Sequence, residues 1–167
     1  MMQRAQEVGV RAELITAARA VNRMMPKHVS GVLKDLLYQS GVPAGEGRLL
    51  FLGWSYKPGV GDARETPVEP LARNLIELGV SISAWDPYLS VRDFPEGITV
   101  IEDIASAKDF DLVVLSTAHK ECVGIDWVSL QKGMRNPILY DGRRVLDLQR
   151  MREIGWIVNA VGSPIKY

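Results

Sequence analysis

The chain has 167 residues, 47% of them hydrophobic and 24% charged, and its formal net charge at pH 7 is zero, a composition typical of one globular domain. The balanced charge, with no basic block, argues against nucleic acid as a partner, and no apolar run approaches the roughly 20 residues that cross a membrane. The single cysteine excludes an internal disulfide and no metal-ligand cluster accompanies it, so we expect a cytoplasmic protein that binds no metal.

Two helical segments are predicted before the first strand. One runs from about residue 4 to residue 25 and the other from about 27 to 39, each with an apolar stripe at helical spacing. Pro26 is predicted to interrupt or kink the helix between them, because it lacks an N–H group. The second stripe is expected to pack on a sheet. The first has no obvious core to cover, so we expect it to face a partner or another domain.

Strand and helix patterns alternate from residue 48 onward, which predicts a Rossmann-like, doubly wound parallel sheet. We therefore divide the chain into a helical segment, residues 1–44, and an α/β domain, residues 45–167. Thr66, Pro67 and Glu69 form a capping-box pattern that starts the first helix of this domain. The predicted strands cover residues 48–52, 80–85, 98–101, 111–116, 137–140 and 156–161, with helices at about 66–78, 104–108, 127–132 and 145–154.

Ligands of such sheets bind outside the carboxyl ends of the strands. The turn after the first strand carries cations near a helix N-terminus, which favours an anion such as phosphate or pyrophosphate. Trp54 and Ser55 follow Gly53, so the dinucleotide pattern G-x-G-x-x-G is absent and we predict that this unit does not itself hold NAD. The candidate rim residues are Tyr56, Lys57, Asp86, Thr117, Ala118, His119, Asp141, Gly142, Arg143 and Arg144.

Several of these positions have a structural alternative. Arg143 and Arg144 suit bidentate phosphate contact, but they could instead form a surface pair with Asp141. Asp86 could meet a ribose hydroxyl, as acidic residues after the second strand do in NAD-binding domains, although we favour a plain Asp-Pro turn. We expect Asp62 and Arg64 to fix their turn rather than to touch a ligand.

The spacing of His119 and Cys122 allows a thiol–imidazole pair on one helical face. Neither an acidic residue nor an electropositive turn supports activation of that thiol. We therefore expect Cys122 to be a buried side chain without a catalytic role.

Five segments together resemble the nucleotide-sugar 6-dehydrogenases, which oxidise UDP-glucose, UDP-N-acetylhexosamines or GDP-mannose. F-L-G-W-S-Y-K-P at residues 51–58 and G-D-A-R-E-T-P at 61–67 resemble the family pattern L-G-x-x-[FY]-K-P … D-x-R-E-[ST]-P. W-D-P-Y at 85–88 and Y-D-G-R-R at 140–144 resemble Y-D-P-Y and [FY]-D-[GA]-R. A-A-R-A-V-N-R-M-M-P at 17–26 resembles the end of the family's long central helix.

This resemblance implies that Tyr56, Lys57 and Arg143, with Arg144 secondary, bind a UDP-sugar. It also implies a homodimer or higher homo-oligomer formed through the N-terminal helix. Nothing in the chain resembles the family's NAD-binding domain or its G-x-x-x-x-C segment, and Cys122 does not match that nucleophile. We therefore expect no catalytic residue here, NAD bound by a domain outside this chain, and no activity alone. The start within a helix favours a truncated enzyme over a separate complementing chain.

The sugar is the least determined part of this interpretation. Thr117-Ala118-His119 resembles the T-x-H found in N-acetylhexosamine dehydrogenases, whereas UDP-glucose members more often show T-E-W. We expect UDP-N-acetyl-D-mannosamine or UDP-N-acetyl-D-glucosamine, with UDP-glucose as the alternative. A non-catalytic, stand-alone nucleotide-binding module and a flavodoxin-like or receiver-like interaction domain also stay open.

Overall fold

The computed structural model describes residues 13–163 of the chain. Five α-helices lie in this part: α1 (Glu13–Gln39), α2 (Val68–Ile76), α3 (Lys120–Val123), α4 (Trp127–Lys132) and α5 (Leu148–Glu153). Six β-strands alternate with them: β1 (Arg48–Leu52), β2 (Ser81–Trp85), β3 (Thr99–Val100), β4 (Leu112–Leu115), β5 (Ile138–Asp141) and β6 (Ile157–Ala160).

The strands form one parallel sheet in the order β3-β2-β1-β4-β5-β6. This is the order of a doubly wound Rossmann-type sheet, so the predicted fold class is confirmed. The strand order reverses between β1 and β4, and Leu52 pairs with Trp85 on one side and Leu115 on the other. The carboxyl ends of the three central strands are therefore level, and the loops that leave them meet at one edge.

The two faces of the sheet bury separate hydrophobic layers. Leu49 and Phe51 of β1 point to the layer under α1 and α2, whereas Leu50 and Leu52 point to the layer that includes α4 and α5. All four side chains are fully buried, as expected for a central parallel strand covered on both sides. Trp54 packs in the first layer, and the second contains Trp127 and Trp156, whose rings meet edge to face at 5.9 Å.

Pro26 does not divide the N-terminal helix: α1 continues through it without interruption. The prediction of two separate helices is wrong, because the buried Pro26 ring is accommodated in a helix that packs on the domain. The apolar stripe after Pro26 covers the sheet as predicted, with Leu33 and Leu37 fully buried. The stripe before it is exposed, since Leu14 is 87% accessible. The predicted residues 4–12 lie outside the described part.

Local hydrogen bonds explain the other differences in the elements. Thr66 Oγ1 accepts from the N–H of Val68 at 3.3 Å, but the Glu69 carboxylate binds Arg73 instead of the helix start, so the capping box is not formed. The last helix begins late because Asp147 caps it at Gln149 and Arg150. The segment predicted as helix at 104–108 is one 3-10 turn, Ile104–Ser106. Between residues 13 and 163, no helix is both long and apolar enough to cross a membrane.

Candidate functional site

The candidate site lies at the carboxyl edge of the sheet, around the long connection between β1 and α2. We call residues 53–67 the β1–α2 loop. Its tip, residues 56–61, is exposed, whereas Trp54, Ser55 and Thr66 are buried. The loop is therefore held at both ends and presents its middle to solvent.

Asp86, the residue directly after β2, holds the start of this loop. Its Oδ2 accepts hydrogen bonds from the N–H groups of Trp54 and Ser55 at 2.7 and 2.8 Å, and from Ser55 Oγ at 2.9 Å. Its Oδ1 accepts from the N–H of Tyr88 at 2.9 Å. Burial opposes ionisation of the carboxyl, but these donors outweigh it and lower the pKa of Asp86 below 3.8. The carboxylate is thus a charged, buried anchor.

His119 extends this anchor to the loop tip. Its Nε2 lies 3.0 Å from Asp86 Oδ2, and its Nδ1 lies 3.0 Å from the backbone nitrogen of Gly59. A backbone N–H can only donate, so Nδ1 accepts and the ring proton is on Nε2. The ring has no solvent exposure and packs against the Tyr88 ring, with 5.0 Å between centroids and 38° between ring planes. His119 is therefore a neutral bridge between a carboxylate and the loop backbone.

The end of β4 supplies two more hydrogen bonds. Thr117 Oγ1 donates to the carbonyl of Ser55 at 2.6 Å, and Ser116 Oγ donates to the carbonyl of Gly53. Gly53 has a φ of 83° and packs so closely that an added Cβ would lie 2.5 Å from the Thr117 carbonyl oxygen. This position requires glycine for both reasons.

The far side of the loop is closed by its own acidic and basic residues. The N–H of Tyr56 donates to the Asp62 carbonyl at 2.8 Å. Arg64 donates to the Asp62 carboxylate through Nε at 2.9 Å and through Nη2 at 2.8 Å. The hydrogen bonds from Arg64 lower the pKa of the Asp62 carboxyl to about 2. Asp62 and Arg64 therefore fix the turn, which is the role predicted for them.

The loop tip exposes Tyr56 and Lys57 at this edge. Tyr56 is 50% accessible, and Lys57 has no ion-pair partner among residues 13–163. The loop thus exposes an aromatic ring next to a cation, on a backbone that is hydrogen-bonded to the buried Asp86 and His119.

The loop after β5 brings Arg143 to the same edge. The buried Asp141 carboxylate accepts from the N–H groups of Arg143, Val145 and Leu146, each at 2.9 Å. Asp141 therefore shapes this loop through the backbone, and the alternative of a surface pair with the guanidinium groups is wrong. Arg143 is exposed, while Arg144 turns its Nη1 to the Val161 carbonyl at 3.4 Å.

A small apolar cavity of about 150 Å³ adjoins Arg143. It lies between α1 and the ends of β4 and β5, with Pro26, Val29, Pro67, Ser116 and Gly142 in its wall. A guanidinium at the rim of an apolar cleft suits a ligand with a ring and an anionic group. Three larger cavities, of about 340 to 470 Å³, lie elsewhere in the described part of the chain, and none of them is lined by Tyr56, Lys57 or Arg143.

The β1–α2 loop does not fit a dinucleotide. In dinucleotide-binding domains a glycine-rich turn leads from the first strand directly into the helix, and an acidic residue after the second strand meets the ribose. Here residues 53–67 separate β1 from α2. The ribose interpretation of Asp86 is wrong, because its carboxylate is buried and both oxygens accept protein hydrogen bonds. Residues 53–67 and Asp86 therefore do not form a dinucleotide site of this kind.

Cys122 is an unreactive core residue. Its side chain is fully buried in the layer under α4, and burial raises the pKa of the thiol to about 12. The predicted noncatalytic role is consistent with this placement. The Asp86–His119 contact was not predicted, although both residues follow strand ends at the same edge, which is the signal that could have suggested it.

The sequence of the chain is similar to those of known dehydrogenases. Residues 50–148 match the profile of the UDP-glucose/GDP-mannose dehydrogenase family, UDP binding domain. A UDP-N-acetyl-D-mannosamine dehydrogenase from Pyrococcus horikoshii is 28% identical over 149 residues, which are 89% of this chain and 33% of that protein. A UDP-glucose 6-dehydrogenase from Pseudomonas aeruginosa is 28% identical over 174 residues, covering 98% of this chain and 38% of that protein.

A solved structure shares the fold. The crystal structure of an NDP-N-acetyl-D-galactosaminuronic acid dehydrogenase from Methanosarcina mazei superposes with a TM-score of 0.82, at 24% identity, over 96% of this chain and 36% of that one. The chain thus spans about a third of the length of these proteins. The matched profile covers more than half of the sequence and includes the β1–α2 loop and Arg143. This chain belongs to the UDP-glucose/GDP-mannose dehydrogenase family and corresponds to its UDP binding domain.

Proposed function

We propose that this chain binds the nucleotide of a UDP-sugar within an NAD-dependent UDP-sugar 6-dehydrogenase, which oxidises the C6 alcohol to a carboxylate. The observation that carries the proposal is the placement of Lys57 and Arg143, both exposed, on separate loops at the carboxyl edge of one parallel sheet. NAD and the catalytic cysteine belong to a part of the enzyme outside this chain.

The chain's own side chains have distinct tasks in this proposal. Lys57 offsets the diphosphate charge as a point charge, and Arg143 contributes a planar fork for two phosphate oxygens. Tyr56 offers an exposed ring for the uracil or ribose. Arg144 is secondary, since its guanidinium is directed to Val161. The chain therefore orients the nucleotide and leaves the chemistry to the other domain.

Among UDP-sugars we propose an N-acetylhexosamine, UDP-N-acetyl-D-mannosamine or UDP-N-acetyl-D-glucosamine, with UDP-glucose as the alternative. The Thr117-Ala118-His119 sequence supports this choice. His119 itself is fully buried, so it does not touch a sugar in this structure. The similar proteins include both N-acetylhexosamine and glucose enzymes.

We also propose that the exposed apolar stripe of α1 pairs with a second copy of the chain. Leu14, Ala18 and Val21 of this stripe are exposed, as is Ile15 beside it, whereas Met25 is half-buried. A stripe of this size on a soluble protein favours an interface.

Titration calorimetry with UDP, UDP-sugars and uridine tests the binding role. We expect UDP and UDP-sugars to bind and uridine to bind much more weakly, because it lacks the diphosphate. An assay for NADH with the chain alone and each UDP-sugar should give no signal. Robust NADH production would contradict the proposal that NAD and the catalytic cysteine belong to another part of the enzyme. Failure of UDP to bind would contradict the proposed function.

A further inference from the structure

Within residues 13–163, one side chain hydrogen-bonds the tip of the β1–α2 loop to the protein interior. Gly59, two residues after Lys57, donates its backbone N–H to His119 Nδ1 at 3.0 Å. On the other side of the tip, Ser55 is held by Asp86 and Thr117. The exposed Tyr56–Lys57 pair therefore lies between two anchors, and both lead to the same buried carboxylate.

We propose that Asp86 and His119 are positioning residues for nucleotide binding, which hold the Tyr56–Lys57 segment in its binding conformation before the ligand arrives. This inference rests on the proposed function. The His119 imidazole links the end of β2, through Asp86, to the loop tip at Gly59, and neither residue touches the nucleotide. Pre-ordering a loop in this way removes part of the entropy loss that binding otherwise carries.

The hydrogen bonds of His119 are more specific than packing in a hydrophobic core requires. A leucine could occupy a buried apolar space of this size, whereas here both ring nitrogens have matched partners, a carboxylate on one side and an N–H on the other. The tautomer is fixed by these partners, because only the Nε2–H form satisfies both at once. Asp86 is ionised and itself held by backbone donors, so it orients the ring firmly.

Tyr88 packs against both the imidazole and the loop tip, where its backbone adjoins Gly61. Its hydroxyl donates to Glu121 at 3.0 Å. Cys122 lies on the adjacent helix α3 and is equally buried. Because Cys122 has no contact with Gly59 among the hydrogen bonds of residues 13–163, it provides a matched control for a simple loss of packing.

The test compares three variants of the chain by UDP calorimetry. His119→Leu removes the acceptor for Gly59 and should weaken UDP binding about tenfold or more, as expected for the loss of a buried hydrogen bond that orders the site. His119→Asn places an amide oxygen near the Nδ1 position and should recover most of that affinity. Cys122→Ala should lower the thermal midpoint and leave UDP affinity within about twofold.

Nitrogen-15 spectra of the ligand-free chain give a second readout that packing alone does not move. We expect His119 to show a protonated Nε2 and an accepting Nδ1, with a scalar coupling to the Gly59 amide. That amide should exchange rapidly with solvent in His119→Leu and stay protected in His119→Asn. The opposite tautomer in the wild-type chain would overturn the inference.

The binding results separate this inference from the function on which it rests. If the wild-type chain does not bind UDP, the proposed function fails. If the wild-type chain binds UDP and folded His119→Leu binds it equally well, the positioning role alone is overturned. If Cys122→Ala loses as much affinity as His119→Leu, the effect is general packing, which also overturns it.

Discussion

His119 Nε2 and Asp86 Oδ2 lie 3.0 Å apart in the interior of the domain, and no solvent reaches either side chain. Asp86 directly follows β2, and His119 lies between β4 and α3, so this contact joins the loops that follow the two strands flanking β1. The loop that leaves β1 is hydrogen-bonded to both side chains, to Asp86 at Trp54 and to His119 at Gly59. The position of the exposed Tyr56 and Lys57 thus depends on two buried residues.

The first prediction concerns the charge on Asp86. Asp86→Asn keeps the size of the side chain but replaces an ionised acceptor with an amide, so we expect a loss of about 2–4 kcal/mol in the free energy of unfolding at neutral pH. The measurement is urea denaturation followed by tryptophan fluorescence, with Asp35→Asn, at an exposed position of α1, as a control. Equal stability of Asp86→Asn and wild type would contradict the role of the carboxylate.

The pH dependence of that loss has a defined sign. The pKa of Asp86 is lower in the folded protein than its ordinary value of 3.8, so ionisation stabilises the fold. The stabilisation by the ionised carboxylate is fully present when the pH is above the ordinary pKa of 3.8. It is lost as the pH falls through the lower pKa of the folded protein. The stability difference between wild type and Asp86→Asn should therefore be constant at higher pH and shrink only below about pH 4.

The sequence predicted the sheet well and the buried network poorly, for a physical reason. Strand and helix patterns depend on local periodicity, so the elements around β1 and β4 were placed within a residue or two. The same logic placed Lys57 and Arg143 past strand ends. The Asp86–His119 pair depends on which loops meet where the strand order reverses between β1 and β4, and residue type alone cannot reveal that contact.

Tertiary context also explains the local errors. Pro26 was expected to divide a helix, but packing of that turn against the domain outweighs the loss of one backbone hydrogen bond. Glu69 was expected in a capping box, but Arg73 lies one turn later and binds its carboxylate at 2.6 Å. At Pro26 and at Glu69, a contact with another part of the chain therefore outweighs the structure that the local sequence pattern predicts.

The second prediction concerns the glycine that begins the β1–α2 loop. Gly53→Ala should destabilise the domain by about 3 kcal/mol or more, because φ is positive and the new Cβ would collide with the Thr117 backbone. Gly41 also has a positive φ, of 77°, but no atom lies within 4 Å of an added Cβ. Gly41→Ala should therefore cost only about 1–2 kcal/mol. Equal losses in chemical denaturation would show that the collision at Gly53 is relieved.

The third prediction concerns self-association through α1. Leu14 is 87% accessible on an apolar stripe, so Leu14→Glu should weaken a dimer formed by this helix. Sedimentation velocity over a range of concentrations measures the effect. Val91 is also exposed, at 57%, but lies between β2 and β3, so Val91→Glu should leave association unchanged. A wild-type chain that stays monomeric at high concentration would contradict the proposed interface.

The last prediction concerns the two cations at the carboxyl edge. Lys57→Ala removes one charge-assisted contact to the diphosphate and should weaken UDP binding roughly ten- to hundredfold. Arg143→Lys should also weaken it, because an ammonium group cannot reproduce the planar fork of the guanidinium. The affinity of the wild-type chain should fall as salt is raised, since both groups are exposed to screening.

Matched controls come from cations on other parts of the surface. Lys132 ends α4 and Arg152 lies in the last turn of α5, both exposed and away from the β1–α2 loop. Lys132→Ala and Arg152→Ala should bind UDP like wild type, which excludes a general effect of net charge. The Lys57→Ala, Arg143→Ala double variant should show no measurable binding in the same titration. If it binds UDP as tightly as the wild-type chain, the diphosphate lies elsewhere, and the carboxyl edge of the sheet is not the nucleotide site.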